Sequence, residues 1–194
     1  MMDGGGCACP RSFSVPPPMN RIIIIGSSCA GKTTLARKLS AKLNMPHIEL
    51  DQLFWLPEWK QRPQDEFRSL VSDAIAAERW ISCGNFTELR EILWNRATHA
   101  VWMNYSFPLV FSRAIRRTVR RCFVKEELFS GNYESFRQSF LSRDSILWWV
   151  LTTFRRRRRQ YRQLFDDNVH PSLKLIELHH PRDAEKLLEN LDSG

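Results

Sequence analysis

The chain has 194 residues, 43% of them apolar and 26% charged, with a formal net charge of +8. That length suits one domain with a substantial core rather than two. The longest apolar run, Ile146 to Leu151, is far short of the roughly 18 to 20 residues that cross a bilayer. Five cysteines at 7, 9, 29, 83 and 122 are too irregular for a disulfide framework and fit a reducing, cytoplasmic setting.

Residues 1–20, rich in Gly, Pro and Ser, lack the cationic start and apolar centre of a secretory signal and read as a flexible tail. Residues 21–194 read as one domain with a helical insertion at about 108–166. Ile22 to Ile25 suits a strand buried on both faces. Lys32 to Leu43 follows as a helix, with Leu35, Ala36, Leu39 and Leu43 at helical spacing, and Asn44-Met45-Pro46 stops it. His47 to Asp51 is a short second strand, and QLFWLPEWKQRP is an aromatic, proline-bounded loop. Gln64 to Arg79 is an amphipathic helix, with Phe67, Leu70, Val71, Ala74 and Ile75 on one face.

Trp80 to Ser82 is a third strand, Thr87 to Ala97 a helix and His99 to Met103 a fourth strand. Pro108 opens a long arginine-rich helix capped by Ser106. SGNYES is a turn, and Ser142 to Asp166 a second long helix. Leu173 to Leu178 is a fifth strand, and Pro181 starts the last helix with His180 as its cap. Short apolar strands alternating with helices predict an α/β fold with a five-stranded, mostly parallel sheet flanked by helices.

Gly26-Ser27-Ser28-Cys29-Ala30-Gly31-Lys32-Thr33 fits G-x-x-x-x-G-K-[ST], between an apolar strand and a helix. The two glycines let successive N–H groups turn inward as an anion nest, and the positive end of the helix adds to it. Lys32 is expected to reach the β- and γ-phosphates of a nucleoside triphosphate, Thr33 to ligate Mg²⁺ and Thr34 to donate to the α-phosphate. No guanine-selecting N-K-x-D is present. A chain this short, with a distal arginine-rich region, points to a small phosphoryl-transfer kinase.

Asp51, read at the end of the second strand, is a candidate to orient an acceptor hydroxyl or contact Mg²⁺; a turn or cap aspartate is the plainer reading. Phe54, Trp55 and Trp59 could stack on a base or sugar, or could be loop core. Gly84-Asn85-Phe86 could approach a ligand or be a tight turn. Between Arg113 and Arg162 stand fourteen basic and four acidic residues, which implies an anionic partner. Arg113, Arg116, Arg117 and Arg120 fall on one helix face, and Arg116 or Arg120 is the expected stabiliser of a phosphoryl-transfer transition state. Arg155 to Arg159 cover every side of their helix and read as a solvated stretch or a nucleic-acid surface.

Several stretches beyond the phosphate loop carry a resemblance: HIELDQLFWLPEWKQRPQDEF, WISCGNF, LFSGNYESF, SRDSILWWVLTTFRRRRRQY and LHHPRDAEKLL. They resemble the adenylate-kinase-related P-loop proteins often labelled DNA topology modulation protein or uncharacterised nucleotide kinase, over roughly residues 21–191. The resemblance implies a nucleoside-monophosphate-kinase-like P-loop fold and binding of ATP, with transfer to a small-molecule acceptor such as a nucleotide. Related kinases carry an acidic residue where this chain has Cys83, and the family's fourth strand commonly ends in Asp where this chain has Asn104. A thiol and an amide do not replace a carboxylate near a metal. Two other readings stand beside the kinase: a P-loop ATPase or regulator that binds nucleic acid through its basic helices, suggested by the basic block and the family's label, and an ATP-binding relic with little turnover, suggested by Cys83 and Asn104.

Overall fold

The computed structural model describes residues 19–124 and 145–191. The expected turn at SGNYES and the expected helix start at Ser142 lie outside the described residues. Five strands form one sheet: β1 (Arg21–Gly26), β2 (His47–Glu49), β3 (Trp80–Cys83), β4 (His99–Met103) and β5 (Lys174–Leu178). Their order is β2-β3-β1-β4-β5, and every pairing is parallel. Chain connections leave β1 toward β2 and β3 on one side, then β4 and β5 on the other. The loop after β1 thus lies at the carboxyl edge where the winding changes direction, which is where open α/β sheets bind ligands.

The helices are α1 (Lys32–Leu43), α2 (Leu50–Phe54), α3 (Gln64–Ala74), α4 (Arg90–Arg96), α5 (Phe107–Val124), α6 (Ile146–Asp166) and α7 (Pro181–Asn190). Alternation along β1 divides the core. Ile22 and Ile24 pack with Leu35, Leu39, Val110 and Val150 on one face, and Ile23 and Ile25 pack with Phe67, Val71, Leu93 and Tyr161 on the other. All four isoleucines are at most 3% exposed, as a central parallel strand requires. Truncating Ile24 to alanine would cost about 2–5 kcal/mol. Helix α6 belongs to both faces: Val150 and Phe154 join the first cluster and Tyr161 the second. Arg157, between them, therefore crosses over the carboxyl edge of the sheet.

Two boundaries differ most from the sequence expectation. β2 stops at Glu49, and Leu50-Asp51 begin α2, because Leu50 turns into the core at 1% exposure. Part of the expected loop is thus helical. α3 ends at Ala74 rather than Arg79; Ile75 is buried, and the chain tightens there with Ala76 N–H donating to Asp73 O at 3.2 Å. The described start of α6 is capped by Ser145, whose side chain accepts from Trp148 N–H at 3.2 Å. His180 caps α7 as expected, its Nδ1 accepting from Arg182 N–H at 3.2 Å.

Candidate phosphate site

The loop after β1 begins at Gly26, whose φ is +146° and where a Cβ would stand 2.8 Å from Met103 O. Only glycine fits there. Gly31, at φ 105°, is the N-cap of α1 and places no side chain over the helix end. Between them Ala30 N–H donates to Ser27 O at 3.2 Å, and among the described residues the amides of Ser28, Cys29 and Gly31 take no backbone acceptor. Ser27 Oγ is buried without a hydrogen-bond partner among the described residues. From outside, Arg113 Nη1 donates to Ala30 O at 2.7 Å. Among the described residues the loop thus keeps three amides without backbone acceptors and one hydroxyl without a partner at the positive end of α1.

Lys32 Nζ donates to Gly26 O at 3.3 Å and Ser27 O at 3.1 Å. Burial pulls its pKa below the usual lysine value, with Asp51 opposing the shift. Thr33 Oγ1 donates to Glu49 Oε1 at 2.9 Å and lies 3.9 Å from Cys83 Sγ. Glu49 and Cys83 are register partners on β2 and β3, so the carboxylate stands one strand away from the thiol. Arg37 Nη2 lies 3.5 Å from the other Glu49 oxygen, and His47 Nε2 lies 3.2 Å from Cys83 Sγ. Burial, then the Glu49 charge, push the Cys83 thiol up to about 12, so Cys83 is a neutral group here.

Asp51 sits in the first turn of α2 rather than at a strand end. Burial raises its pKa above the usual aspartate range; Lys32 opposes this most, and Arg117 and Arg157 also lower it. Lys32, Arg117 and Arg157 thus all lie within electrostatic reach of Asp51. Thr34 is exposed on the first turn of α1.

The four arginines expected on one face of α5 divide. Val110 and Ala114 enter the core and Thr118 is fully buried, which turns Arg113 and Arg117 toward the loop. Arg117 Nη1 points at Cys29 Sγ from 3.9 Å. Arg116 and Arg120 lie outside this stripe and are exposed. On α6 the buried positions Val150, Thr153, Phe154 and Tyr161 select Arg157 from its run: it is half-buried while Arg155, Arg156, Arg158 and Arg159 are exposed. Arg157 lines a cleft of about 240 Å³ with Ser27, Asn104, Tyr105 and Tyr161.

Other expected features resolve into local structure. Phe54 meets Trp55, Phe67 and Phe86 at ring distances of 4.8, 5.1 and 4.8 Å, and Trp55 meets Trp59 edge-on at 5.5 Å. These aromatics form a cluster with one another. Gly84, at φ 149°, has Leu50 atoms 2.9 Å from where a Cβ would be, so close packing explains it. Asn104 Nδ2 donates to Glu177 Oε1, which is held in turn by Arg162. Sequence reading missed Glu49 and Arg157. The signal for Arg157 was the apolar spacing of α6 carried one turn further; for Glu49 it was the alternation of β2.

No family model matches the sequence, and no curated protein matches it significantly. Solved structures do. Shikimate kinase from Bacteroides thetaiotaomicron shares 20% identity at a TM-score of 0.55, covering 91% of this chain and 98% of that one. Shikimate kinase from Aquifex aeolicus shares 18% at 0.51, covering 89% and 96%. Shikimate kinase from Acinetobacter baumannii, in complex with shikimate, shares 16% at 0.51, covering 90% and 94%. The chain has the P-loop kinase fold.

Proposed function

We propose that this chain is an ATP-dependent phosphotransferase acting on a small-molecule acceptor. The observation that carries the reading is the convergence of Lys32, Thr33, Glu49, Asp51, Arg117 and Arg157 on the uncapped start of α1. The residues fit a triphosphate: three loop amides without backbone acceptors, a buried orphan hydroxyl on Ser27 and a lysine already folded into the loop. They fit a divalent cation as well, because Thr33 is paired with the Glu49 carboxylate rather than with the Cys83 thiol alone. When bound, ATP with Mg²⁺ supplies the γ-phosphoryl group and neutralises part of its charge.

In this reading the amides of residues 27–33 and Lys32 hold the phosphates, and Thr33 and Glu49 hold the metal ion. Asp51, a stronger base than an exposed aspartate because burial disfavours its charge, takes the proton of the acceptor hydroxyl. Arg117 and Arg157 stabilise charge on the transferred group; Arg116 and Arg120, exposed on α5, hold no such position. The fold likeness to shikimate kinases supports a small acceptor without naming it. Single-turnover transfer from labelled ATP, tried against nucleoside monophosphates, sugars and hydroxy acids including shikimate, tests the proposal. Asp51→Asn should abolish transfer while leaving nucleotide affinity within about twofold. No transfer from the wild type to any acceptor sinks it.

A further inference from the structure

Asn85 follows Gly84 at the end of β3 and bonds in two directions. Its Nδ2 donates to Gly26 O at 2.6 Å, the first residue of the phosphate loop. Its Oδ1 accepts from Tyr161 O–H at 3.0 Å. Gly26 O also accepts from Lys32 Nζ at 3.3 Å, so an unbroken chain of hydrogen bonds runs from Lys32 through Gly26 and Asn85 to Tyr161. Both ends are fixed. Leu50 fills the space under Gly84, and Tyr161 is only 5% exposed, with its ring 6.3 Å from Trp94 and 6.0 Å from Trp102.

Tyr161 stands one helical turn after Arg157 on the inward stripe of α6, so fixing one fixes the azimuth of the other. The Arg157 charge is felt at Lys32, Asp51 and Tyr161 alike. Tyr161 also belongs to both clefts near the loop. One, of about 240 Å³, holds Ser27 and Arg157; the other, of about 340 Å³, holds Gly84, Asn85 and Arg90. Tyr161 is the residue the two clefts share, and Asn85 lines the second.

We propose that Asn85 and Tyr161 form a latch between the phosphate loop and α6, and are positioning residues that set Arg157 for the transfer step. The inference rests on the phosphotransferase reading above. Neither residue has to touch a substrate: the latch acts by holding a guanidinium whose value depends on placement to within an ångström.

The test is a double-mutant cycle between Tyr161→Phe, which keeps the buried ring, and Arg157→Ala. Tyr161→Phe should lower the rate of phosphoryl transfer from ATP about tenfold to a hundredfold, while affinity for a fluorescent ATP analogue changes by less than about twofold. In the Arg157→Ala background the same change should cost less than about twofold more, because the latch has nothing left to place. Independent losses that multiply, or a loss of nucleotide affinity matching the loss of rate, overturn the latch. A second measurement does not depend on turnover. AMP-PNP should slow amide exchange across residues 154–161 in the wild type, and Asn85→Ala should remove that protection while the analogue still binds. Protection that persists in Asn85→Ala, or a wild type that binds without protecting α6, overturns the latch and leaves the kinase reading intact. A wild type that does not bind AMP-PNP overturns the kinase reading and the latch together.

Discussion

Two arginine-bearing helices meet the phosphate loop, and they use the same side chain differently. On α5, Arg113 spends its guanidinium on a backbone carbonyl, at 2.7 Å from Ala30 O, and covers the Tyr105 ring at 5.4 Å. It shapes the loop. On α6, Arg157 lies over the Trp149 ring at 5.4 Å and reaches Lys32 and Asp51 through its field. It charges the space beside the loop. The lesson is that an arginine's worth near a phosphate site follows from what already occupies its donors.

The largest expected effect separates these roles. Arg157→Ala should slow phosphoryl transfer about a hundredfold or more, with nucleotide affinity little changed, as single-turnover kinetics can show. The contrast between holding and charging recurs beside Thr33, where Glu49 carries charge and Cys83 carries none. Glu49→Gln should weaken Mn²⁺ binding about tenfold or more, and adding Cys83→Asp to that variant should recover most of it. Cys83→Asp alone sets two carboxylates in register and should destabilise the fold. Mn²⁺ binding that stays undiminished in Glu49→Gln would contradict this assignment.

Arg113→Ala should act on binding and stability where Arg157→Ala acts on rate. It removes a donor from the part-buried Ala30 carbonyl, costing about 1–3 kcal/mol of stability and weakening nucleotide binding by calorimetry. A smaller effect follows from the Cys83 thiol. Its pKa rises from 9.0 to about 12 in the fold, so the folded state favours the neutral form. That contribution is intact below pH 9 and is lost as pH rises toward 12. Cys83→Ala should flatten this part of the thermal-midpoint profile. Least of all, Arg116→Ala and Arg120→Ala should leave transfer unchanged and stability within about 0.5 kcal/mol. A transfer defect from either would collapse the division between inward and outward arginines.

Much of the fold was legible because its signals were local. The four isoleucines, the glycines at 26 and 31 and the cap at His180 each declare one conformation. The site was less legible because it depends on boundaries. In HIELD, Leu50 is buried whether the strand continues or a helix begins, so the acid at the strand end could be read as Asp51 when it is Glu49. On α5, spacing alone groups Arg113, Arg116, Arg117 and Arg120, and only packing at Val110, Ala114 and Thr118 separates them. The arginine run on α6 hides its inward member because composition carries no azimuth. The neighbouring apolar stripe does.

The bond from Arg113 to Ala30 O has a thermodynamic corollary. It makes the loop's shape and the placement of α5 one shared variable. Whatever free energy a phosphate-bearing ligand gains by favouring one loop shape must then be returned, in equal measure, as a preference in how α5 is seated. An acceptor that leans on α5 would tighten or loosen nucleotide binding by that same factor, so two substrates need not touch to be cooperative.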